Sequence, residues 1–216
     1  MTREKIIADV EHLLLHDLRA FRDGAINIAA TEVDRKGHAD RLSRAGWEHF
    51  AQKADYSYFV SRILLAQHIY LYGFFCAHQC VECYLKASLK KAGSKIPQHH
   101  NLNALLTECR KVFPDSESFL QTDYAQAICL KFDPFYEFPR YPTQTTRPAG
   151  GKYMWASGDS ERVLDYFVYR MRDLLGFAPK HWDVLGPDGH YDLLLTTRKQ
   201  PRVNALFRAG NLNFMA

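Results

Sequence analysis

Residues 75–89 have the sequence FCAHQCVECYLKASL, and this stretch decides the fold class of the chain. Its three cysteines occupy positions i, i+4 and i+7, so they share one face of an α-helix. The surrounding pattern predicts a helix over residues 71–92, which ends at Gly93 because glycine accepts the left-handed conformation common just past a helix. A helix of this length needs neighbours on which to bury its apolar face, and the flanking sequence supplies them.

The same period of three to four residues recurs on both sides of this helix. Further helices are predicted over residues 2–34, 47–66, 102–112, 116–130 and 160–175. Residues 133–151 contain four prolines and two glycines and are predicted to be a loop. We therefore predict an all-α, up-and-down bundle of four or five helices over residues 47–175. An extra N-terminal helix lies within residues 1–40, and a tail over residues 176–216 has the pattern of a β-hairpin around residues 186–189.

Composition and charge narrow the class of protein. Lys plus Arg number 28 and Asp plus Glu number 24, giving a net charge of +4. This balance argues against an extended, sequence-blind nucleic-acid surface but leaves a local RNA site open. The sequence shows no transmembrane stretch and no secretory signal, so we expect no membrane association. The odd number of cysteines, five, favours a reducing compartment, and the expected location is cytoplasmic.

Four short motifs occur along residues 47–175 in a fixed order. They are Trp47-x3-Ala51-x3-Asp55; Gln79 before Glu82 and Leu85-Lys86-Ala87; Pro97 with His100-Asn101-Leu102 and Leu105-Leu106; and Arg140-Tyr141-Pro142. In this order they resemble the HEPN domain family. The resemblance implies a helical bundle that is often a homodimer. It also implies links to RNA cleavage in toxin–antitoxin and defence systems, to nucleotide or RNA binding, and to a nucleotidyltransferase-type partner.

The sequence departs from the pattern of the RNA-cleaving members of this family. Those members carry an Arg followed four to six residues later by a His, late in the domain. After Arg140 the next histidine is His181, beyond the last predicted helix. The expected positions of the catalytic pair are therefore empty.

Two pairs with a similar spacing occur earlier in the chain: Arg44 with His49, and Arg62 with His68. A base near neutral pH and a cation are what metal-independent RNA cleavage needs. On a straight helix, however, residues five or six apart point roughly 120–140° away from each other. These four residues are the catalytic candidates, and solvated or packing roles are the alternative.

Arg140 and Tyr141 are the leading candidates for ligand binding. A guanidinium suits phosphate, and a tyrosine ring stacks on a nucleobase. The alternative is that Arg140 pairs with a buried carboxylate such as Glu82 and anchors its loop. Lys86 is four residues after Glu82, so the two share a helix face. We expect a surface or edge ion pair there, or else Lys86 facing a groove beside Arg140.

His100 precedes the helix predicted over residues 102–112. Its side chain, or that of Asn101, is expected to cap this helix, with a phosphate contact at the helix N-terminus as the alternative. The cysteine stripe near His78 resembles a zinc site only superficially, since zinc ligands usually come from turns. We predict that Cys76, Cys80 and Cys83 pack in the core, and we predict no metal and no cofactor.

Three functions remain open on the sequence. The first is a nucleotide- or RNA-binding, or partner-binding, module that does not cleave RNA. The second is a metal-independent endoribonuclease toxin that uses Arg62 and His68, or Arg44 and His49. The third is a dimeric scaffold without a ligand.

Overall fold

The structure is a computed structural model that describes residues 46–136, 157–176, 205 and 207–214. In this part of the chain the regular structure is entirely helical, which confirms the predicted all-α bundle. The helices are α1 (Trp47–Ala66), α2 (Tyr70–Lys91), α3 (Leu102–Val112), α4 (Asp123–Phe132) and α5 (Ser157–Leu175). Single 3₁₀ turns cover Phe119–Gln121, Asp133–Phe135 and Leu212–Phe214.

A tight turn joins α1 to α2. His68 has a φ of 61°, the left-handed conformation in which glycine is usual and histidine is tolerated. The amide of the next residue, Ile69, donates back to the carbonyl of Leu64 at 2.8 Å, which closes the end of α1. A Cβ at Gly73 would lie 2.9 Å from the Leu65 side chain, so the close approach of the two helices requires glycine there.

The C-terminal end of α2 ties three helices together. Gly93 follows it with a φ of 75°, as predicted for the residue after the helix. The ammonium of Lys91 donates to the carbonyl of Leu175 at 2.5 Å, at the end of α5. The same ammonium lies 4.7 Å from the centre of the Trp47 ring at the start of α1. Trp47, the first residue of the first motif, therefore marks a junction of α1, α2 and α5.

Two helices begin at other residues than predicted. The helix expected over residues 116–130 is divided into the turn Phe119–Gln121 and α4, which begins at Asp123. Thr122 is extended, with a ψ of 156°, and its side chain accepts from the amide of Ala125 at 3.3 Å. A residue that caps one helix cannot also continue another, so the cap at Thr122 explains the interruption.

α5 begins three residues before the prediction, at Ser157, and ends at the predicted Leu175. Short polar residues suit the first turn of a helix as well as its cap, so the pattern did not separate the two. The start of α3 was predicted correctly. The side chain of Asn101, rather than His100, accepts from the amide of Ala104 at 2.7 Å.

The C-terminal segment, residues 207–214, packs against α1 and α5. Phe207 is buried, and its ring centre lies 5.7 Å from that of Tyr58 and 4.9 Å from that of Phe59. Asn211 is fully buried beside them. The last 16 residues show little helical period, so this contact did not follow from the sequence.

Three predicted elements lie outside the described residues. They are the N-terminal helix within residues 1–40, the proline-rich loop from residue 137 onward, and the hairpin around residues 186–189. The domain limits 1–40, 47–175 and 176–216 therefore stay predictions. No helix in the described ranges is both long and apolar enough to cross a membrane.

Candidate functional site

The carboxylate of Glu82, in the middle of α2, organises a polar cluster. Its Oε1 accepts from the Lys86 ammonium at 2.7 Å and from Nδ1 of His100 at 3.0 Å. Its Oε2 accepts from the side-chain amide of Gln79 at 3.2 Å. Two ligand-binding candidates of the sequence, Lys86 and His100, therefore meet at one oxygen atom. We call Glu82, Lys86, His100, His78 and Tyr136 the Glu82 cluster.

The Glu82–Lys86 pair is buried, which corrects the expectation of a surface or edge pair. Glu82 is 4% exposed and Lys86 is 8% exposed. Burial alone would raise the pKa of the Glu82 carboxyl, but the hydrogen bonds and charges of Lys86 and His100 outweigh it and leave the pKa lowered. Because the Lys86 ammonium is held by Glu82, Lys86 shapes the cluster rather than presenting a charge to solvent.

His78 is the second histidine of the cluster and is fully buried. Its Nε2 lies 3.1 Å from the carbonyl oxygen of His100, so this nitrogen carries the proton and donates. Its Nδ1 has no hydrogen-bond partner among the described residues and lies 3.8 Å from the Glu82 carboxylate. Burial lowers the pKa of His78 to about 4, although Glu82 and Asp133 oppose the shift. His78 is therefore neutral at pH 7.

Tyr136 covers the outer side of the cluster. Its ring stacks on the His100 ring with centres 4.1 Å apart and an angle of 14° between the planes. It also lies 5.3 Å from the His78 ring. The His100 side chain remains 41% exposed, so the edge of this ring pair is open to solvent. A partly exposed, nearly parallel ring pair is suited to contact with another flat ring.

The N-terminus of α3, next to His100, is already occupied by a carboxylate. Asp133 accepts from the amide of Leu102 at 2.6 Å and from the side chains of Asn101 and Asn103 at 3.3 and 3.4 Å. A negative charge is favourable at this end of a helix. The phosphate contact considered for this terminus would have to displace Asp133, so His100 is better placed for a ring contact than for a phosphate.

Arg140 and Tyr141 follow Tyr136 in the sequence but lie outside the described residues, as does Arg44. Their proposed roles stay predictions. The same holds for the alternative that Arg140 pairs with Glu82. His49, the sequence partner of Arg44, is exposed in the first turn of α1.

Arg62 and His68 have different surroundings. Arg62 is 3% exposed, and its guanidinium donates to both carboxylate oxygens of Asp165 at 2.9 and 3.2 Å and to the carbonyl of Ala209 at 2.8 Å. His68 is exposed, and its Nδ1 lies 2.7 Å from the hydroxyl of Tyr70. Arg62 is thus committed to a buried carboxylate, whereas His68 faces solvent.

A second ion pair joins α1 to α5 two helical turns away. Arg172 contacts the carboxylate of Asp55 at 2.5 Å and donates to the hydroxyl of Tyr84 at 3.1 Å. The Tyr84 hydroxyl also donates to Asp55. Burial raises the pKa of the Asp55 carboxyl, and the Arg172 charge opposes that shift. The sequence identified Asp55 as a motif residue, but no sequence pattern identified its partner Arg172, which lies 117 positions away.

Two of the three cysteines of the opening stretch pack in the core, as predicted. Cys80 and Cys83 are buried and Cys76 is partly buried, and all are free thiols. Burial raises the pKa of the Cys83 thiol to about 11, which leaves it protonated and unreactive at neutral pH. Within the described ranges, no group of three or more His, Cys, Asp or Glu side chains is arranged to hold a metal ion.

Comparison with protein-family models matches residues 47–177 to the HEPN domain. The match covers all five described helices and the Glu82 cluster. We found no match to the chain among curated proteins or among solved structures.

Proposed function

The chain belongs to the HEPN domain family, and from this we propose that it is a nucleotide- or RNA-binding module that does not cleave RNA. One observation carries the proposal, the partly exposed ring pair of His100 and Tyr136 on the Glu82 cluster. The segment with Arg140 and Tyr141 begins just after it in the sequence. A flat base would contact the rings, and Arg140 would bind the phosphate.

The surroundings of Arg62 favour binding over cleavage. A cation that stabilises a cleaving phosphate has to reach it, whereas Arg62 is buried and bound to Asp165. Releasing it would leave Asp165 buried without its charge partner, which costs several kcal/mol, about 3–5 for a typical buried pair. This cost weighs against Arg62 and His68 as a catalytic pair.

Calorimetric titration with ATP and with a short single-stranded RNA tests the binding proposal. We expect at least one ligand to bind the wild type, and Arg140→Ala to weaken it about tenfold or more. Arg147→Ala, in the same segment, is the matched control and should leave binding unchanged. His100→Gln keeps a donor for Glu82 but removes the ring, so we expect it to weaken binding about tenfold. If neither ligand binds the wild type, the scaffold interpretation is correct instead.

Incubation with RNA separates binding from cleavage. The proposal predicts intact RNA with the wild type and with His68→Ala alike. RNA cleavage that His68→Ala abolishes would establish the endoribonuclease alternative and overturn our proposal.

We also propose that the module is a homodimer and that it can associate with a nucleotidyltransferase-type partner. Both expectations rest on membership of the family. Light scattering after size-exclusion chromatography measures the first, since a dimer doubles the 25.0 kDa mass of one chain. Co-purification with a candidate nucleotidyltransferase tests the second.

A further inference from the structure

Four residues of α5 form a stripe on the outer side of the bundle, and we call them the α5 stripe: Arg162, Tyr166, Tyr169 and Asp173. Successive members are four, three and four residues apart, so all four lie within about 60° of one another around the helix. Arg162 and Asp173 are exposed, Tyr169 is 48% exposed and Tyr166 is half-buried. Within the described part of the chain, no hydrogen bond or ion pair holds the side chain of Arg162 or of Asp173.

A third tyrosine extends the aromatic part of this surface onto α4. Tyr124 is 67% exposed, and its ring centre lies 6.3 Å from that of Tyr166 with the planes at 80°. Tyr166 is held in place, because the Arg170 guanidinium lies over its ring and over that of Phe119. Neighbouring aromatic side chains that reach the surface are typical of the centre of protein–protein interfaces. This side of the bundle is therefore suited to contact with another protein.

The order of residues along the α5 stripe indicates that the partner is a second copy of the same chain. A positive charge and a negative charge lie at its two ends, about 16 Å apart, with the two tyrosines between them. The midpoint between Arg162 and Asp173 is also the midpoint between Tyr166 and Tyr169. A two-fold axis through this point therefore places Arg162 of each copy opposite the partner's Asp173, and Tyr166 opposite the partner's Tyr169.

The two charges select the orientation of the helices. Parallel packing of two α5 helices would place Arg162 beside the partner's Arg162, and Asp173 beside the partner's Asp173, and like charges repel each other. Antiparallel packing pairs opposite charges at both ends. Because exposed ion pairs add little to affinity, contact between the tyrosines would supply most of it, and the charges would fix the orientation.

We propose that the α5 stripe is the interface of a homodimer in which the α5 helices of two copies pack antiparallel. The inference rests on the homodimer proposed above and adds its surface and its orientation. It is separate from the proposed binding of a nucleotide or RNA, because the α5 stripe contains no residue of the Glu82 cluster and neither Arg140 nor Tyr141.

Charge reversal in the full-length chain tests the interface, with the dimer dissociation constant measured by analytical ultracentrifugation. Arg162→Glu places a carboxylate opposite the partner's Asp173, and Asp173→Arg places a guanidinium opposite the partner's Arg162. We expect each variant alone to weaken the dimer at least tenfold. An equimolar mixture of the two variants should restore dimers, because their heterodimer has opposite charges at both ends of the stripe.

Two further variants complete the experiment. Tyr169→Ala should weaken the dimer about tenfold, since tyrosines at the centre of an interface contribute strongly to affinity. Lys95→Glu is the matched control, because it also reverses an exposed charge but lies outside α5, and it should leave the dissociation constant unchanged. Recovery in the mixture is the decisive result, because misfolding of either variant is not repaired by mixing.

The remaining outcomes contradict the proposal in distinguishable ways. If the wild type is a dimer and the three α5 variants bind as tightly, or if the mixture does not recover, the interface is wrong and the homodimer stands. A monomeric wild type overturns the interface and the homodimer together, but it leaves ligand binding by the Glu82 cluster intact. A monomer that binds a nucleotidyltransferase-type protein through Tyr169 would show that the stripe contacts that protein instead of a second copy.

Discussion

Two ion pairs join α1 to α5 with the same residue types, but different parts of the chain enclose them. Asp55 pairs with Arg172, and Arg62 pairs with Asp165. The two positions are seven residues apart on each helix and run in opposite order, so the helices are antiparallel and the pairs lie two turns apart. We call Asp55–Arg172 the inner pair and Arg62–Asp165 the outer pair.

The inner pair is enclosed by the bundle itself, whereas the outer pair needs the C-terminal segment. Tyr84 of α2 bonds to both members of the inner pair. At the outer pair the Tyr58 hydroxyl donates to Asp165, and the C-terminal segment supplies the carbonyl bound by Arg62 and the ring of Phe207. The outer pair can become hydrated if one segment detaches, while the inner pair becomes hydrated only if the helices separate.

The largest effect is expected at the inner pair. Arg172→Met leaves the Asp55 carboxylate buried without its charge partner, and we expect the free energy of unfolding to fall by about 3–5 kcal/mol. Urea denaturation of the wild type and the variant measures this change in the free energy of unfolding. Adding Asp55→Asn should restore part of the loss. The exposed pair Lys111–Glu108 is the control, and Lys111→Ala should cost less than about 1 kcal/mol. An equally small loss for Arg172→Met would contradict the importance of the inner pair.

The outer pair should respond less. Arg62→Met is expected to cost about 2–4 kcal/mol, since displacement of the C-terminal segment would let water reach Asp165 and limit the penalty. Limited proteolysis of the variant should also cleave the C-terminal segment faster than in the wild type. Cleavage at the wild-type rate, or a loss larger than that of Arg172→Met, would reverse the ranking of the two pairs.

Acid should affect the Glu82 cluster through its buried histidine, His78. The pKa of His78 is lowered to about 4, so the unfolded chain binds a proton there at a higher pH than the folded chain does. Stability should therefore fall as the pH drops below 6.5, by about 2 kcal/mol between pH 8 and pH 5. The contribution of Glu82, whose pKa is lowered, is lost only at still lower pH, below about 4.5.

Urea denaturation at pH 8 and pH 5 checks this prediction with His78→Asn as the comparison variant. The variant should lose less stability on acidification than the wild type. An equal loss in both proteins would show that His78 is not the group responsible.

The smallest effect is expected within the C-terminal segment. The side-chain oxygen of Asn211 lies 2.8 Å from the Tyr58 hydroxyl oxygen, and its side-chain amide donates to the carbonyl of Phe207 at 3.0 Å. Asn211→Ala should cost about 1–2 kcal/mol, because it leaves one of these buried groups without its partner. Thermal unfolding would show this loss of stability as a lowered Tm. An unchanged Tm would mean that the hydrogen bonds of Asn211 do not help to hold the segment.

Local patterns were enough to predict most helix ends but not the polar partners inside the bundle. Gly93 and Asn101 mark a helix end and a helix start because the chain next to them determines the outcome. Thr122 was overlooked, since one hydroxyl residue inside an apolar pattern is compatible with both a helix and a cap. Asp55 and Glu82 were recognised as motif residues, but Arg172, Asp165 and Asn211 were not, because nothing local distinguishes a buried charge from a solvated one.

The sequence by itself determined the helical class, the limits of α1, α2 and α3 to within a residue, and the family. Helix period, caps and glycines act over a few residues, so they can be found along the chain. Only the tertiary structure decided that Lys86 is buried and paired with Glu82, and that Arg62 is bound to Asp165. It also decided that the C-terminal segment encloses the pair of Arg62 and Asp165. Those contacts join residues up to 147 positions apart. They form because a charge that is buried by helix packing is costly unless an opposite charge or a hydrogen-bond partner lies next to it.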